Sequence, residues 1–552
     1  MDPYNESDPV FAATPLESPT AIPSLQNCPR VRFPRPGPPR GGPHGFEFGQ
    51  HAPLQYGHQQ PGQLRYDPVH GLQQHGGHPR HDQYQQSAQQ QYQGHPQGRP
   101  IVPATEYLNQ HLDIFQAASY ELPENCLTIR SGFPESIDFN MFCSEEIVRN
   151  LTDNKRKLGQ VPQEMFNRAR QRCNPYELVA SSVFMNRASV KIASMDSQLA
   201  LTAPKEYPHP GNHEEKIDPK LFRFADLCAG PGGFSEYLLW RMNTWGESVR
   251  GWAMTLRGDL DLTLDRFHKD AMARESLRVH YGADSTGNIL KEENIRAFVE
   301  FIEKETFGLG VGLVVADGGI SVDGDEAAQE NLLQRLILCQ ILTMFMILQK
   351  GGDFVVKVFD IFTPVTAGLI WILSRHFEKI CVVKPLTSRP MNSERYVVCR
   401  RLLERRPASA IDHLLSVNAE YQHLETNVSG QAGGPSETIN HIVDLDVLQN
   451  DRHFMDYIRN NNVKTAVRQT EALGIFLNYV NEGIRPPFDQ EAIRRLCLQE
   501  WRIPPSPQYS HHSHTQPQRS QAPAQGYRHP PRHQPYQQQS YGHGSHSRGG
   551  HR

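Results

Sequence analysis

Phe224-Ala225-Asp226-Leu227-Cys228-Ala229-Gly230-Pro231-Gly232-Gly233-Phe234-Ser235-Glu236 is the stretch on which the reading of this chain turns. An apolar run, Phe222–Leu227, carries an acidic residue near its end and meets a turn dense in glycine; a helical pattern, Phe234–Met242, starts directly after it. Glycines permit a sharp turn and close approach of backbone to a ligand. The N–H groups that open a helix favour an anionic group such as a carboxylate. The spacing of Gly230, Gly232 and Gly233 is not that of a GxGxxG dinucleotide fingerprint, and the Gly-Lys-Ser/Thr of a phosphate loop is missing.

The same rhythm continues outward from this loop. Strands are predicted at Arg250–Leu256, Gly312–Ala316, Asp353–Val358, Lys379–Lys384 and Tyr396–Cys399, with helices at Glu292–Glu305, Ala328–Gln349 and Pro364–Phe377. Short Val-, Ile- and Phe-rich strands separated by helices imply crossover units, hence an α/β fold with a mainly parallel, doubly wound sheet. Ligands in such sheets sit beyond the carboxyl ends of the strands. Upstream, helices are predicted at Glu145–Asn150, Pro162–Arg172 and Pro175–Ala200. Downstream, a polar connection at Ser429–Ser436 leads to a second helical segment, Asp444–Trp501, with helical spacing in Ala466, Ala472, Ile475, Phe476 and Val480. Leu332–Leu348 is nearly continuous in apolar residues, but Gln334, Arg335 and Gln340 interrupt it below the length of a membrane span. It reads as a helix buried against the sheet, and no membrane partner is expected.

Composition separates the folded part from its flanks. Hydrophobic residues make up 38% of the 552, and Gly and Pro occur 42 times each. The deficit lies in residues 1–104 and 503–552, rich in His, Gln, Pro, Gly and Ser, which have too little aliphatic side chain to offset the entropy of ordering. We expect five segments: a low-complexity arm (1–104), an N-terminal helical extension (105–220), the α/β core (221–415), a C-terminal helical extension (416–502) and a second arm (503–552). A net charge of −4 excludes a polycationic nucleic-acid coat but permits a local basic groove. The nine cysteines form no CxxC pair, and no signal peptide is read, so a reducing compartment without structural zinc is expected.

Four charged residues stand where a ligand would lie. Asp317 follows the Gly312–Ala316 strand and precedes Gly318-Gly319; Lys357 falls inside Phe354-Val355-Val356-Lys357-Val358; Glu394 enters the last strand; Lys191 lies in a helix before the glycine loop. Each has a bland reading: a turn residue, an edge-strand charge, a salt-bridge partner, a solvated helix face. Together, with Asp226 and Pro-Gly-Gly-Phe, they resemble the Lys-Asp-Lys-Glu set and methyl-donor loop of the FtsJ-type ribose 2′-O-methyltransferases. That family implies a Rossmann-like fold, S-adenosyl-L-methionine as donor and no metal. A 2′-hydroxyl is a poor nucleophile that must be held in line with the methyl group while its proton is taken or its charge stabilised. A lysine made basic by desolvation or neighbouring cations would suit that task.

The resemblance narrows to the cap-specific mRNA branch of the family at Asn174-Pro175-Tyr176-Glu177, Val356–Pro364, Lys384–Pro390, Asn392–Tyr396 and Leu496–Pro504. It implies methylation of the first transcribed nucleotide of N7-methylguanosine-capped mRNA. Asn186, Asp226, Cys228, Ala229, Gly230, Pro231, Gly232, Gly233, Phe234, Asn288, Ile289 and Asp317 would surround the donor. Lys155, Arg170, Glu330, Asn331 and Asn392 would hold capped RNA. Asn288 stands where the branch has an acidic residue, and Ala180 where it has an arginine. The resemblance further implies a nuclear location, with Lys155-Arg156-Lys157 as a basic run, and arms that would contact transcription or capping machinery. Three other readings stay open: the same chemistry on tRNA or rRNA, a non-catalytic RNA-binding scaffold, and a protein whose arms are its main business.

Overall fold

The structure, a computed structural model, describes residues 101–179, 183–204, 218, 220–259, 261–320, 329–428 and 437–504. Ala180, the 321–328 loop, the 429–436 connection and nearly all of both low-complexity arms lie outside them. The strands are β1 (Ile114–Phe115), β2 (Leu127–Gly132), β3 (Phe222–Leu227), β4 (Val249–Met254), β5 (Leu277–His280), β6 (Val311–Ala316), β7 (Leu348–Val358), β8 (Phe377–Val383), β9 (Arg395–Leu402) and β10 (Thr438–Val443). The longer helices are α1 (Glu145–Leu158), α2 (Gln163–Arg172), α3 (Arg187–Leu199), α4 (Gly233–Trp245), α5 (Glu292–Glu305), α6 (Gln329–Ile347), α7 (Pro364–His376), α8 (Ala408–Val428), α9 (Arg452–Glu482) and α10 (Gln490–Glu500).

Eight strands form one sheet in the order β1-β8-β9-β7-β6-β3-β4-β5, and β10 pairs with β2 in a separate ribbon. From β5 through β4, β3 and β6 to β7 every pairing is parallel, whereas β9 runs antiparallel to both β7 and β8. This is the mainly parallel α/β sheet expected from the sequence. The chain winds from β3 toward β4 and β5 on one side, and from β6 to β7 on the other. The direction therefore reverses between the carboxyl ends of β3 and β6, where doubly wound sheets open a crevice. Asp226 and Asp317 stand at those two ends.

The apolar α6 is buried as expected. It is the one helix among the described residues long and apolar enough to cross a membrane, yet Leu333, Leu338, Ile341, Leu342 and Phe345 are in the core. Burial of each such side chain contributes about 1.5–3 kcal/mol. The glutamines that interrupt the run have structural partners. Gln340 Oε1 accepts from the Gly318 amide at 3.1 Å, and Gln334 Nε2 donates to Thr363 Oγ1 at 3.0 Å. Two polar positions on an apolar helix thus fix the turns after β6 and β7.

Other elements depart from the sequence reading. The helix predicted from Pro175 begins only at Arg187, because Asn186 is extended and caps it, its side chain accepting from Ala188 N at 2.9 Å. The helix predicted to end at Asn150 continues to Leu158. β5, α8 and the β2–β10 ribbon were not anticipated. β5 has four residues with a mixed burial pattern, and the ribbon joins segments some 300 residues apart, as in the 305-residue separation of Glu135 N and Asn440 Oδ1.

The 31-residue α9 reaches the core through Arg395, which is fully buried. Its guanidinium donates to Phe359 O at 2.8 Å, Asn461 Oδ1 at 2.8 Å and Asn462 Oδ1 at 2.9 Å. A buried guanidinium is tolerated when its donors are satisfied. Here one residue joins the start of β9, the loop after β7 and α9. Leu151 of α1 packs with Ala466 and Leu473 of α9, so α1 is held against the same frame.

Candidate active site

The glycine loop connects β3 to α4 at the point of reversal. Asp226 is wholly buried, and its Oδ2 accepts from the Ser235 amide at 3.1 Å and the Ser235 hydroxyl at 2.7 Å. Oδ1 has no hydrogen-bond partner among the described residues. Burial pushes this carboxyl up to about 7, Ser235 opposing and the nearby Asp317 adding to the rise. Gly232 has φ +120°, and a Cβ there would come within 2.4 Å of Phe267, so only glycine fits. At Gly233 a Cβ would lie 2.2 Å from Asn186 Oδ1, so the cap of α3 rests directly on the loop. Glu236, one turn into α4, accepts from Met185 N at 3.0 Å, His268 N at 2.8 Å and Ser189 Oγ at 3.1 Å. It locks α3 against α4.

Beside the loop, two lysines meet two acids. Lys191 Nζ lies 2.9 Å from Glu394 Oε2, and Lys357 Nζ lies 3.1 Å from Asp317 Oδ1 and 2.8 Å from the Asp317 carbonyl. A Cβ at Gly319 would stand 2.8 Å from Lys357 Nζ, so the turn after β6 leaves room for that ammonium. Lys357 is on β7, between β6 and β9, a central strand and not an edge. Tyr396 joins the pairs: its hydroxyl donates to Asp317 Oδ1 at 2.6 Å and lies 3.5 Å from Lys191 Nζ. Its ring is 5.9 Å from that of Phe234, which ties the cluster to the glycine loop.

The electrostatics follow from this pairing. Burial alone would raise Glu394, but Lys191 and Lys357 overcome it and hold the carboxyl well below the usual carboxylate range. Burial disfavours the Lys357 ammonium, but Asp317 and Glu394 outweigh it and hold its pKa above the ordinary lysine value. The sequence suggested a lysine made basic by burial or by neighbouring cations; the structure instead surrounds Lys357 with carboxylates and keeps it charged.

The model of the FtsJ-like methyltransferase family matches residues 184–402, which contain the glycine loop, all four charged residues and the sheet from β3 to β9. Residues 184–402 form an FtsJ-like methyltransferase domain. The chain is 40% identical over 378 residues to the cap-specific mRNA (nucleoside-2′-O-)-methyltransferase 1 of Dictyostelium discoideum, covering 66% of this chain and 47% of that protein. It is 38% identical over 373 residues to the protein of the same name from Homo sapiens, covering 66% and 43%. The chain thus spans less than half the length of these curated relatives. A putative ribosomal RNA methyltransferase of Plasmodium falciparum aligns over 40% of this chain and 99% of its own, with 16% identity and a TM-score of 0.27, a likeness that carries no weight.

The remaining candidates each have a local setting within or around the FtsJ-like domain. Lys155 of α1 lies 4.0 Å from Asp360, just past the Lys357 strand. Glu330 is buried, and its carboxylate accepts from Phe362 N, Thr363 N and Thr363 Oγ1 at 2.7–3.0 Å. Burial pushes it up to about 7, against the pull of Thr363. Asn331 is exposed at the start of α6. Asn392 Oδ1 accepts from Lys384 Nζ at 2.8 Å, and Arg170 on α2 is half-buried. Asn288 Oδ1 accepts from Leu290 N at 3.0 Å, and Ile289 is in the core.

Three groups in the FtsJ-like domain escaped the sequence reading: Tyr396, Ser388 and Lys384. Ser388 Oγ donates to Glu394 Oε1 at 2.7 Å. Lys384 donates to Asn392 O at 2.7 Å and Glu394 O at 3.0 Å, and burial pushes it down to about 7, with Glu394 opposing. Both fall inside the quoted Lys384–Pro390 motif. Only the approach of that loop to Glu394 reveals their part.

Proposed function

We propose that the chain is an S-adenosyl-L-methionine-dependent RNA 2′-O-methyltransferase that acts on the first transcribed nucleotide of N7-methylguanosine-capped mRNA, and that it works in the nucleus. The observation that carries the reading is the pair of buried lysine–carboxylate contacts, Lys191–Glu394 and Lys357–Asp317, joined by Tyr396 beside the glycine loop. The names of the curated relatives point to the capped substrate.

The loop suits the methyl donor. Asp226 offers an acceptor that has no partner among the described residues, the first turn of α4 presents amides to a carboxylate, and Asn186 adjoins Gly233. When bound, the donor supplies a methyl group on a sulfonium, open to in-line attack. Asp226, Asn186 and the loop amides would hold it. Lys357, kept protonated by Asp317 and Glu394, donates a hydrogen bond to the 2′-oxygen and stabilises the negative charge that develops there as the hydroxyl proton is released to water. Glu394, held ionised, fixes Lys191 on the other side, with Ser388 anchoring its second oxygen. Tyr396, whose acidity burial, Asp317 and Glu394 all suppress, stays a hydroxyl and keeps Asp317 aimed at Lys357. Because both lysines start out paired, the centre is preorganised at no cost in reorganisation during the reaction.

The test is to incubate the protein with labelled S-adenosylmethionine and short RNAs bearing an N7-methylguanosine cap, an unmethylated cap or a 5′-triphosphate, then digest and identify the methylated nucleoside. Label is expected on the 2′-oxygen of the first transcribed nucleotide of capped RNA. Label at internal riboses or on uncapped RNA would keep the chemistry and overturn the substrate.

A further inference from the structure

We propose that Arg187 and Arg389 form a binding site for the phosphodiester on the 3′ side of the methylated ribose, an assignment that rests on the RNA reading above. Arg187 opens α3 and is already anchored: Nη1 lies 3.3 Å from Glu177 Oε2, and Nη2 donates to Thr387 O at 3.2 Å. Arg389 is different. Its nearest carboxylate oxygen, Glu177 Oε1, is 3.9 Å from Nη2, beyond hydrogen-bond reach. Its guanidinium makes no hydrogen bond among the described residues, and its Nε is buried without an acceptor. Burial, then the charges of Arg187 and Arg170, push Arg389 down to about 10, so it remains a cation. Two guanidiniums, Arg187 and Arg389, thus share Glu177 with the charge of Arg170 nearby, while the next carboxylate, Glu394, is committed to Lys191 and Ser388. Glu177 is itself further occupied by Asn174 Nδ2 at 2.6 Å.

An uncompensated, partly buried guanidinium with open donors calls for an anion, and its planar fork matches two oxygens of a phosphate. Position says which phosphate. Arg187 precedes Lys191 by four residues, one turn of α3 or about 6 Å, and on the same face. Arg389 follows Ser388, whose hydroxyl holds Glu394. The 2′- and 3′-oxygens of a ribose are on neighbouring carbons, so a ribose with its 2′-oxygen at Lys357, beside the Lys191–Glu394 pair, carries its 3′-phosphate within a helical turn of the reacting atom. The two arginines flank that place.

The test uses the full chain and two capped analogues that differ only at the 3′ position of the methylated nucleotide, one ending in a phosphate and one in a hydroxyl. Binding is read by competition anisotropy and turnover as kcat/KM. The wild-type protein is expected to favour the phosphorylated analogue by about tenfold or more, the size of one charge-assisted contact. Arg389→Gln and Arg187→Gln should each bring that ratio toward unity, and Arg389→Lys, which keeps the charge without the fork, should leave it intermediate. On longer capped RNA, Arg389→Gln should reduce the slope of log affinity against log salt by about 0.7. If a glutamine variant fails to fold, the lysine variants carry the comparison. Equal losses on both analogues, with the ratio preserved, would show that the arginines only brace Glu177 and would overturn the inference while the cap reading stood. A ratio that collapses in a protein that puts no methyl group on any 2′-oxygen would overturn the functional reading and leave the anion site.

Discussion

Asp226 and Glu394 are both buried carboxyls at the catalytic end of the sheet, yet they titrate in opposite directions. Asp226 meets hydroxyl and amide donors but, among the described residues, no cation, so burial dominates and pushes it up to about 7. Glu394 suffers the same burial, but Lys191 and Lys357 reverse its effect and hold it ionised. Burial alone therefore does not assign a role to an acid; the identity of its partners does. The cation-free side keeps an acceptor open beneath the glycine loop. The cation-rich side spends its charges on each other and holds two ammonium groups in place.

Removal of the charge on the cation-rich side should have the largest effect. Glu394→Gln strips Lys191 of its partner and leaves an uncompensated buried ammonium, which costs about 3–5 kcal/mol. Denaturant unfolding should show that loss, and turnover should fall by about 10³-fold. A variant that keeps its stability would mean that the pair is solvated and that the contrast with Asp226 is false.

The cation-free side should reveal itself through pH. A carboxyl with a raised folded pKa contributes stability below its unfolded value, near 3.8, and loses it as pH rises through about 7. Glu394, depressed on folding, does the reverse: its contribution is present above the unfolded value and disappears as pH falls. Asp226→Asn cannot ionise, so its melting temperature should decline less than that of the wild type between pH 4 and pH 7, by about 2–4 °C. Glu330, also raised to about 7, keeps part of the decline in both proteins. Identical pH profiles would place the Asp226 proton elsewhere.

The smallest effect sharpens the contrast within one residue. Ser388→Ala removes the hydrogen bond to Glu394 Oε1 but leaves Lys191 on Oε2. One hydrogen bond to a charged group is about 1.5–3 kcal/mol. Turnover should drop about tenfold with little change in folding, and a wild-type rate would show that Lys191 alone orients Glu394.

Legibility in the sequence followed the range of the interactions. The strands from β3 to β9 announce themselves as apolar runs because a sheet covered on both faces demands them; only β5, with four residues, was too short to show. Lys357 and Asp317 were legible in part because a Lys inside a Val-rich strand and an acid after one are locally out of place, whereas Lys191 and Glu394, which read singly as a solvated helix face and a salt-bridge partner, were legible only through the resemblance of the set as a whole. Tyr396 was not, since a tyrosine in a strand reads as core until its hydroxyl is seen 2.6 Å from Asp317. Gln334 and Gln340 looked like interruptions in an apolar helix, yet they hold the turns after β7 and β6. Nor could the sequence show that Glu330 turns inward to Thr363, or that α9 reaches the site through Arg395; both contacts depend on tertiary approach.

The measurement to make on the catalytic cluster is S-adenosylmethionine binding and turnover side by side for Lys357→Met, a change of similar volume without the charge. Binding within a few-fold of the wild type, in a protein that melts cooperatively, with methyl transfer to capped RNA reduced at least about 10³-fold, is the expected result. Transfer at the wild-type rate would remove Lys357 from the chemistry, and joint loss of binding and transfer would make it a structural support of the glycine loop.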